Sequence, residues 1–568
     1  MSIEQDLAAV VKGSVGASGE ALSAASHDAS LFEVRPRAVV APKDVDDLKA
    51  LVRYASAHEG VSLTGRSAGT DMSGGPLTES VVVSFTEHFN HIKEVVEAPQ
   101  GALPALPDDV AGIDVDVTGY AVTEPGVYYR DFDKATLEKG GQIMPSYPAS
   151  RELCTVGGMA ANNSGGEKTL TYGKTERYVR RLKMVCADGN EYEFKPLAPA
   201  EMAAKKGLAT FEGEIYRAMS DLIGSNHGLL QKAKPIVSKN SCGYYLWNVY
   251  DEKTGVFDLC KMIVGSQGTL GLITEIEYAL VKPKKHSHLL VVFLTSLDQL
   301  GATAERVLEQ KPESFESYDD QTLKVAFKFL PQLMKQMGGN LVTLGLEFMP
   351  EMMAVLEGGM PKLVLMAEFT DDDDAAALAK AVAARESLKG LHEKTLVTAT
   401  AKAENKYWVI RRESFNMLRK HIHGVRTAPF IDDFVVPPAS LPAFLPKLNA
   451  LLEPYKKDLT YTIAGHVGDG NFHIIPLMDL NDHEKTQRII RDLSVKVYAL
   501  VHEFHGSITG EHNDGIIRTP FVKMQYGEKV YRLFEEAKKI WDPKGIFNPG
   551  KKVGGTLEYA FDHIVKSS

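Results

Sequence analysis

At 568 residues the chain is too long for one ordinary hydrophobic core, so two or three domains are expected. The composition, 44% apolar and 24% charged with a mean hydropathy of −0.15, predicts a globular, water-soluble protein. A net charge of −10 and a pI near 6.0, with no basic tail or dense Lys/Arg stripe, argue against nucleic acid as a partner, because phosphate binding needs gathered positive charge.

Four cysteines, Cys154, Cys186, Cys242 and Cys260, occur without C-x-x-C spacing. They fit a reducing compartment and indicate neither a disulfide framework nor a structural zinc. The N-terminal stretch carries acids where a signal peptide is basic, and no apolar run approaches the roughly 20 residues that cross a bilayer. A cytoplasmic location without a transmembrane segment is expected, with peripheral contact at a membrane left open.

In chain order, 1–30 reads as a small-residue leader outside the domains. Residues 39–42 form a short strand ended by proline, and 44–55 a helix with acids in its first turn. A strand at 61–64 enters the small-residue loop 65–75, GRSAGTDMSGG, and a further strand follows at 80–85. Such a loop exposes successive backbone N–H groups and lets a pyrophosphate come close, although alone it reads equally well as a surface turn.

No G-x-G-x-x-G follows a strand, which argues against a dinucleotide fold of the Rossmann type. Gly166 and Gly173 are separated by six residues rather than four, so the Walker-like run 166–175 is not a nucleotide loop. Residues 96–118 read as an irregular connector, 120–127 as a strand and 129–139 as a helix. Two more clusters rich in Gly, Ser and Asn follow at 148–173 and 265–275. Three such loops in one half of a chain point to backbone wrapped around a flat ligand.

After 282–285 the texture becomes alternating strands and helices, with strands at 288–295 and 363–369 and a helix at 296–310. Asp371 to Asp374 read as the acidic start of a helix rather than a cation site. Trp408-Val-Ile-Arg411-Arg412-Glu413 and Asp433-Phe-Val-Val-Pro437 close this part. In His466-Val-Gly-Asp-Gly-Asn-Phe-His473 the glycines favour a tight turn over a helix. Glu511-His512 then adds a carboxylate and a third imidazole. Two neutral imidazoles and a carboxylate suit a divalent cation with open positions. By itself an H-x₆-H is more often two unrelated loop histidines.

The loops at 65–75, 148–173 and 265–275, with the tail Trp541-Asp-Pro-Lys-Gly-Ile-Phe-Asn548-Pro-Gly550, resemble the vanillyl-alcohol-oxidase/PCMH flavoproteins. The pairing of H-x-G-D-G-N-x-H with G-E-H is similar to their D-lactate/D-2-hydroxyacid dehydrogenase branch. The resemblance implies an α+β fold: a two-subdomain FAD-binding domain at 31–284, a substrate or cap domain carrying the metal motif at 285–505, and a C-terminal segment, 506–568, that completes the site. It implies FAD held by Arg66, Ser67, Ala68, Gly69, Thr70 and Ser73 at the diphosphate, with Pro148, Thr155, Gly158, Asn162, Ser164, Gly165, Ile273 and Asn548 along the rest. The first loop contains no histidine to attach the flavin covalently, so FAD is expected to bind non-covalently.

By the same resemblance His466, His473 and Glu511 hold a divalent metal, zinc or manganese, and His512 is the base. Arg411 takes the substrate carboxylate, and Asn471 helps orient the substrate. The implied reaction oxidises a D-2-hydroxy acid and passes electrons to a soluble carrier or quinone. A flavin oxidase using oxygen, the superfamily's alkyl transferase, a flavin-free metallohydrolase and a non-catalytic scaffold are the alternatives. Three departures stand out: Gln267 where relatives carry Glu, Asn513 where they carry Gly, and no lysine before Asp433 of the kind that reads a second carboxylate in 2-hydroxyglutarate-specific members.

Overall fold

The structure is a computed structural model that describes residues 2–99, 101–104, 106, 115–328, 359–391, 394–421, 425–461 and 463–565. Three short β-branched segments build its first sheet. Ala38–Ala41, Val81–Ser84 and Leu63–Arg66 run parallel, with Val40, Val81, Val83 and Leu63 fully buried. Ser14–Gly16 pairs antiparallel on the outer edge, flanked by the helices Ile3–Val10 and Gly19–Ala25. The elements Ile3–Val10, Ser14–Gly16 and Gly19–Ala25 therefore pack as part of this unit. Leu7 is buried in one cluster with Leu48, Leu51 and Val52. A three-residue strand, Ser-Val-Gly, is too short to carry an alternating pattern, which is why sequence periodicity passes over it.

The second sheet is antiparallel, in the order Ile92–Glu97, Gly119–Thr123, Leu272–Leu280, Val179–Val185, Glu191–Phe194. Its first strand overlaps the start of the expected connector, of which 100, 105 and 107–114 lie outside the described residues. Its central strand runs straight out of the third glycine cluster, so that loop is anchored at the middle of the sheet.

The third sheet belongs to the second half. Its strands run Lys394–Val397, His286–Leu294, Leu363–Asp371, Ser314–Asp319, Ile463–His466, Asn471–Ile474, Phe434–Val435, all antiparallel. The aspartate run caps a helix as its composition suggests: Asp373 accepts from the Ala376 N–H at the start of Asp374–Ser387. The chain then returns to the first half. Phe547 bridges to Leu63, and Asn548 lies among the glycine loops. Among the described residues no helix is long and apolar enough to cross a membrane. The four cysteines are buried and unpaired.

Candidate active site

The three glycine-rich loops and one face of the third sheet enclose a cavity of about 690 Å³, within the range of cofactor and ligand sites. Arg66, Ser67, Gly69, Thr70, Pro148, Thr155, Gly158, Asn162, Ser164, Gly165 and Ile273 line it. At Gly268, φ is +69° and an added Cβ would meet nothing nearer than the Gly65 nitrogen at 4.0 Å, on the cavity side. That combination of left-handed backbone and open space fits a flat ligand laid against main chain.

Ala68, Ser73 and Asn548 fall outside the lining, and the last two staple loops to one another. Ser73 is buried with its hydroxyl on Asp71, and Asn548 donates to the carbonyls of Gly75 and Gln267. The Arg66 guanidinium donates to the carbonyls of Ala24, Ala25 and His27, so its charge is tied to the N-terminal segment.

Two of the sequence departures acquire a physical reason. The Gln267 amide donates to Ser73 Oγ and Asn162 Oδ1 and accepts from the Gly515 N–H, stitching the first loop, the second loop and the C-terminal segment together. A glutamate could not make the two donations. Asn513 has φ +67°, a left-handed conformation that asparagine tolerates almost as glycine does. Its amide also donates to the carbonyls of Asn162 and Gly265.

The opposite wall is made of charged side chains, and strand register brings them together. Ala464 pairs with His473 and Ser317 with Gly465. Alternation along a strand then puts His466, His473 and Glu316 on one face. The turn between the histidines is one 3-10 turn, Val467–Asp469, closed by Gly470 at φ +67°, where a Cβ would strike the Val436 carbonyl at 1.8 Å. Glu511 and His512 arrive on a loop organised by Asp433. Its Oδ2 accepts from Glu511 N–H, His512 N–H and Thr509 Oγ1, and its Oδ1 from Asn471 Nδ2.

Glu511 Oε1 lies 3.3 Å from both His466 Nε2 and His473 Nε2. The imidazoles of His473 and His512 stack at 5.0 Å between centroids. Each ring is held from behind. His466 Nδ1–H donates to Glu316 at 2.5 Å, and Asp432 accepts from His473 Nδ1 at 3.3 Å and His512 Nδ1 at 2.5 Å. Buried Lys239 sits 3.1 Å from Glu511 Oε2, which turns the other oxygen toward the histidines. Arg411, on the helix Ala401–His421, puts one terminal nitrogen 3.3 Å from Glu316, and its Nε is buried without a partner on the cavity wall.

The donor set suits a divalent cation. Two imidazole nitrogens and one carboxylate oxygen converge, each backed by a second hydrogen-bonding partner. Asp433, His473, Glu511 and His512 also offer atoms within 4.8 Å of one another. Asp433, however, is fully buried and already accepts four hydrogen bonds, which leaves His466, His473, Glu511 and His512 as the groups with lone pairs toward the cavity. The surplus of carboxylates has an electrostatic signature. Against burial, which would lower it, Asp432 and Glu511 raise the pKa of His473 to about 10. For His512 burial also opposes charge, but Asp432 and Asp433 still raise it above the ordinary histidine value.

Asn471, expected at the substrate, is fully buried behind the wall. Its amide donates to Asp433 and the Phe434 carbonyl, and its oxygen accepts from Lys239 at 3.4 Å. Asp433 and Lys239 hold this side chain outside the cavity lining. Glu316, Asp432 and Lys239 escaped sequence reasoning. Glu316 and Lys239 are isolated charged residues in ordinary segments, and only tertiary pairing reveals their roles. The Asp432-Asp433 pair before a strand was the one readable hint, since two adjacent acids entering an apolar strand demand partners.

The cavity is walled by main-chain loops on one side and a histidine–carboxylate cluster on the other. The FAD binding domain family model matches residues 36–195, and the model for FAD linked oxidases, C-terminal domain, matches 283–552. Over these two stretches the chain resembles the FAD-linked oxidases. It is 27% identical to a D-2-hydroxyglutarate dehydrogenase of Pseudomonas putida, over 95% of this chain and 50% of that one. It is 26% identical to a D-lactate dehydrogenase of Archaeoglobus fulgidus, over 92% and 93%. The chain spans about half the length of the first three curated relatives it matches, all D-2-hydroxyglutarate dehydrogenases. Among solved structures, a 4-ethylphenol oxidase from Gulosibacter chungangensis shares the fold at 15% identity and TM-score 0.65, covering 96% of this chain and 95% of that one.

Proposed function

We propose that the protein oxidises a D-2-hydroxy acid of the D-lactate kind to its 2-oxo acid. FAD, when bound without a covalent link along the glycine loops, supplies at N5 an acceptor for the hydride leaving Cα, which no side chain can provide. A divalent cation, zinc or manganese, held by His466, His473 and Glu511, supplies Lewis acidity toward the hydroxyl. The observation that carries this reading is the gathering of these three residues with His512 and Arg411 on the wall facing the FAD-binding loops.

The side chains divide the remaining work. Arg411, its Nε unpartnered, offers a planar guanidinium to the substrate carboxylate. His512 keeps its Nδ1–H on Asp432, so Nε2 is the nitrogen free to take the hydroxyl proton. Asp432 and Asp433 then stabilise the imidazolium. Arg412 is bound through two nitrogens to Glu167 and Arg66 to backbone carbonyls, so neither is offered to a second carboxylate. Localisation in the cytoplasm, with electrons passed to a soluble carrier or quinone, completes the proposal.

The test is a panel of D- and L-2-hydroxy acids mixed anaerobically with the flavin-loaded protein. Bleaching of the flavin by D-lactate, and slower or no bleaching by L-lactate, is expected. A flavin that no 2-hydroxy acid reduces would sink the proposal.

A further inference from the structure

We propose that Glu316 is a positioning residue that yokes the carboxylate anchor Arg411 to the cation clamp through His466, so that occupancy of one is felt by the other. This rests on the function proposed above. Glu316 is buried on the strand Ser314–Asp319 and divides its two oxygens. Oε1 accepts from His466 Nδ1–H at 2.5 Å, and Oε2 lies 3.3 Å from Arg411 Nη2. Backbone pairing sets the first contact, because continuing the Ser317–Gly465 register places Glu316 opposite His466. Arg411 arrives from a separate element, the helix Ala401–His421, and its unpartnered Nε shows that the protein leaves part of the guanidinium unfilled.

Asp432 plays a comparable double role, but both its imidazoles lie within the histidine cluster. Lys239 touches Glu511 without reaching the anchor. Glu316 connects the two kinds of site. A carboxylate that accepts from one imidazole nitrogen makes the other a better cation donor. The same carboxylate is shared with a guanidinium, so what Arg411 takes from it His466 loses. Two sites that draw on one shared group are thermodynamically linked, and the linkage is reciprocal.

The experiment reads cation binding without turnover. Mn²⁺ dissociation constants are measured by equilibrium dialysis and metal analysis on flavin-loaded full-length protein. The set comprises wild type, Glu316→Gln, Arg411→Met and the double variant. Flavin absorbance and the thermal midpoint report folding. Glu316→Gln keeps the shape and is expected to weaken Mn²⁺ binding by about tenfold or more, the usual cost of losing a partner behind a ligand.

Arg411→Met is expected to tighten Mn²⁺ binding by at least about threefold in the wild-type background, the low end of coupling between groups that share a partner. The change should be clearly smaller when Glu316 is already Gln. Equal factors in both backgrounds would overturn the yoke, because they describe only the direct field of Arg411. Should Glu316→Gln not fold, Arg411→Met decides alone, and an unchanged Mn²⁺ dissociation constant overturns the proposal. Wild-type protein that binds no Mn²⁺ or Zn²⁺ would instead overturn the cation clamp itself, a failure distinct from that of the yoke.

Discussion

The two walls of the cavity are built on opposite plans. The FAD-binding side offers main chain, small residues and neutral amides, with Arg66, Ser73, Gln267 and Asn548 occupied in holding loops to one another. The cap side offers ionised groups from separate stretches of chain, each with a second partner behind it, as Glu316 stands behind His466 and Asp432 behind His512. The first plan suits a large flat ligand bound through many weak contacts and is sensitive to an added Cβ. The second suits a small polar ligand bound through a few strong contacts and is sensitive to lost charge.

Substitutions on one wall should therefore leave the other intact. The largest effect is expected at His512. His512→Ala should slow anaerobic flavin reduction by D-lactate by about 10²–10⁴-fold, the usual range for a lost general base, while flavin content and metal stoichiometry stay as in wild type. Stopped-flow absorbance checks it, and an unchanged rate would move the base elsewhere. Next comes Arg411→Met, for which kcat/KM should fall by roughly 100-fold through a raised KM, since charge-assisted contacts to a carboxylate contribute about 1.5–3 kcal/mol each. Its flavin spectrum should not change.

The converse change lies on the other wall. Gly268→Ala puts a Cβ into the open space on the cavity side, where a ligand laid on main chain would sit, so FAD release measured by fluorescence should show lowered affinity with Mn²⁺ binding unaffected.

The smallest effect is expected away from both walls. Glu275, on the central strand below the third glycine loop, would have its pKa raised by burial. Hydrogen bonds from Lys93, Arg181 and Lys183 instead hold it at about 2. A carboxylate depressed in the folded state stabilises above its unfolded pKa, and that contribution is lost as pH falls from about 4.5 toward 2. Glu275→Gln should lower Tm at pH 7 by roughly 2–4 °C, and by progressively less in thermal scans taken below pH 4.

The walls also differ in how far they could be read from sequence. The first was legible because backbone sites leave their mark as local composition, with Gly, Ser and Asn concentrated at 65–75, 148–173 and 265–275. The His466–His473 turn and Glu511-His512 were legible for a similar reason, each being a dense local motif. Glu316, Asp432 and Lys239 were not. A lone glutamate in the strand Ser314–Asp319 has no local pattern that distinguishes it from a surface acid until strand pairing places His466 opposite. Asn471 shows the reverse: its place in the motif points to the substrate, while Asp433 and Lys239 take its amide outside the cavity lining. The first strand, Ser14–Gly16, was simply too short to show a period.

The most direct test of two walls with separate tasks is chelation of the flavin-loaded protein followed by anaerobic addition of D-lactate. The account predicts that the chelated protein keeps its flavin, as read by its visible absorbance, and fails to bleach, and that Mn²⁺ or Zn²⁺ restores bleaching. Chelated protein, shown by metal analysis to be empty, that reduces its flavin as fast as the untreated form would contradict it.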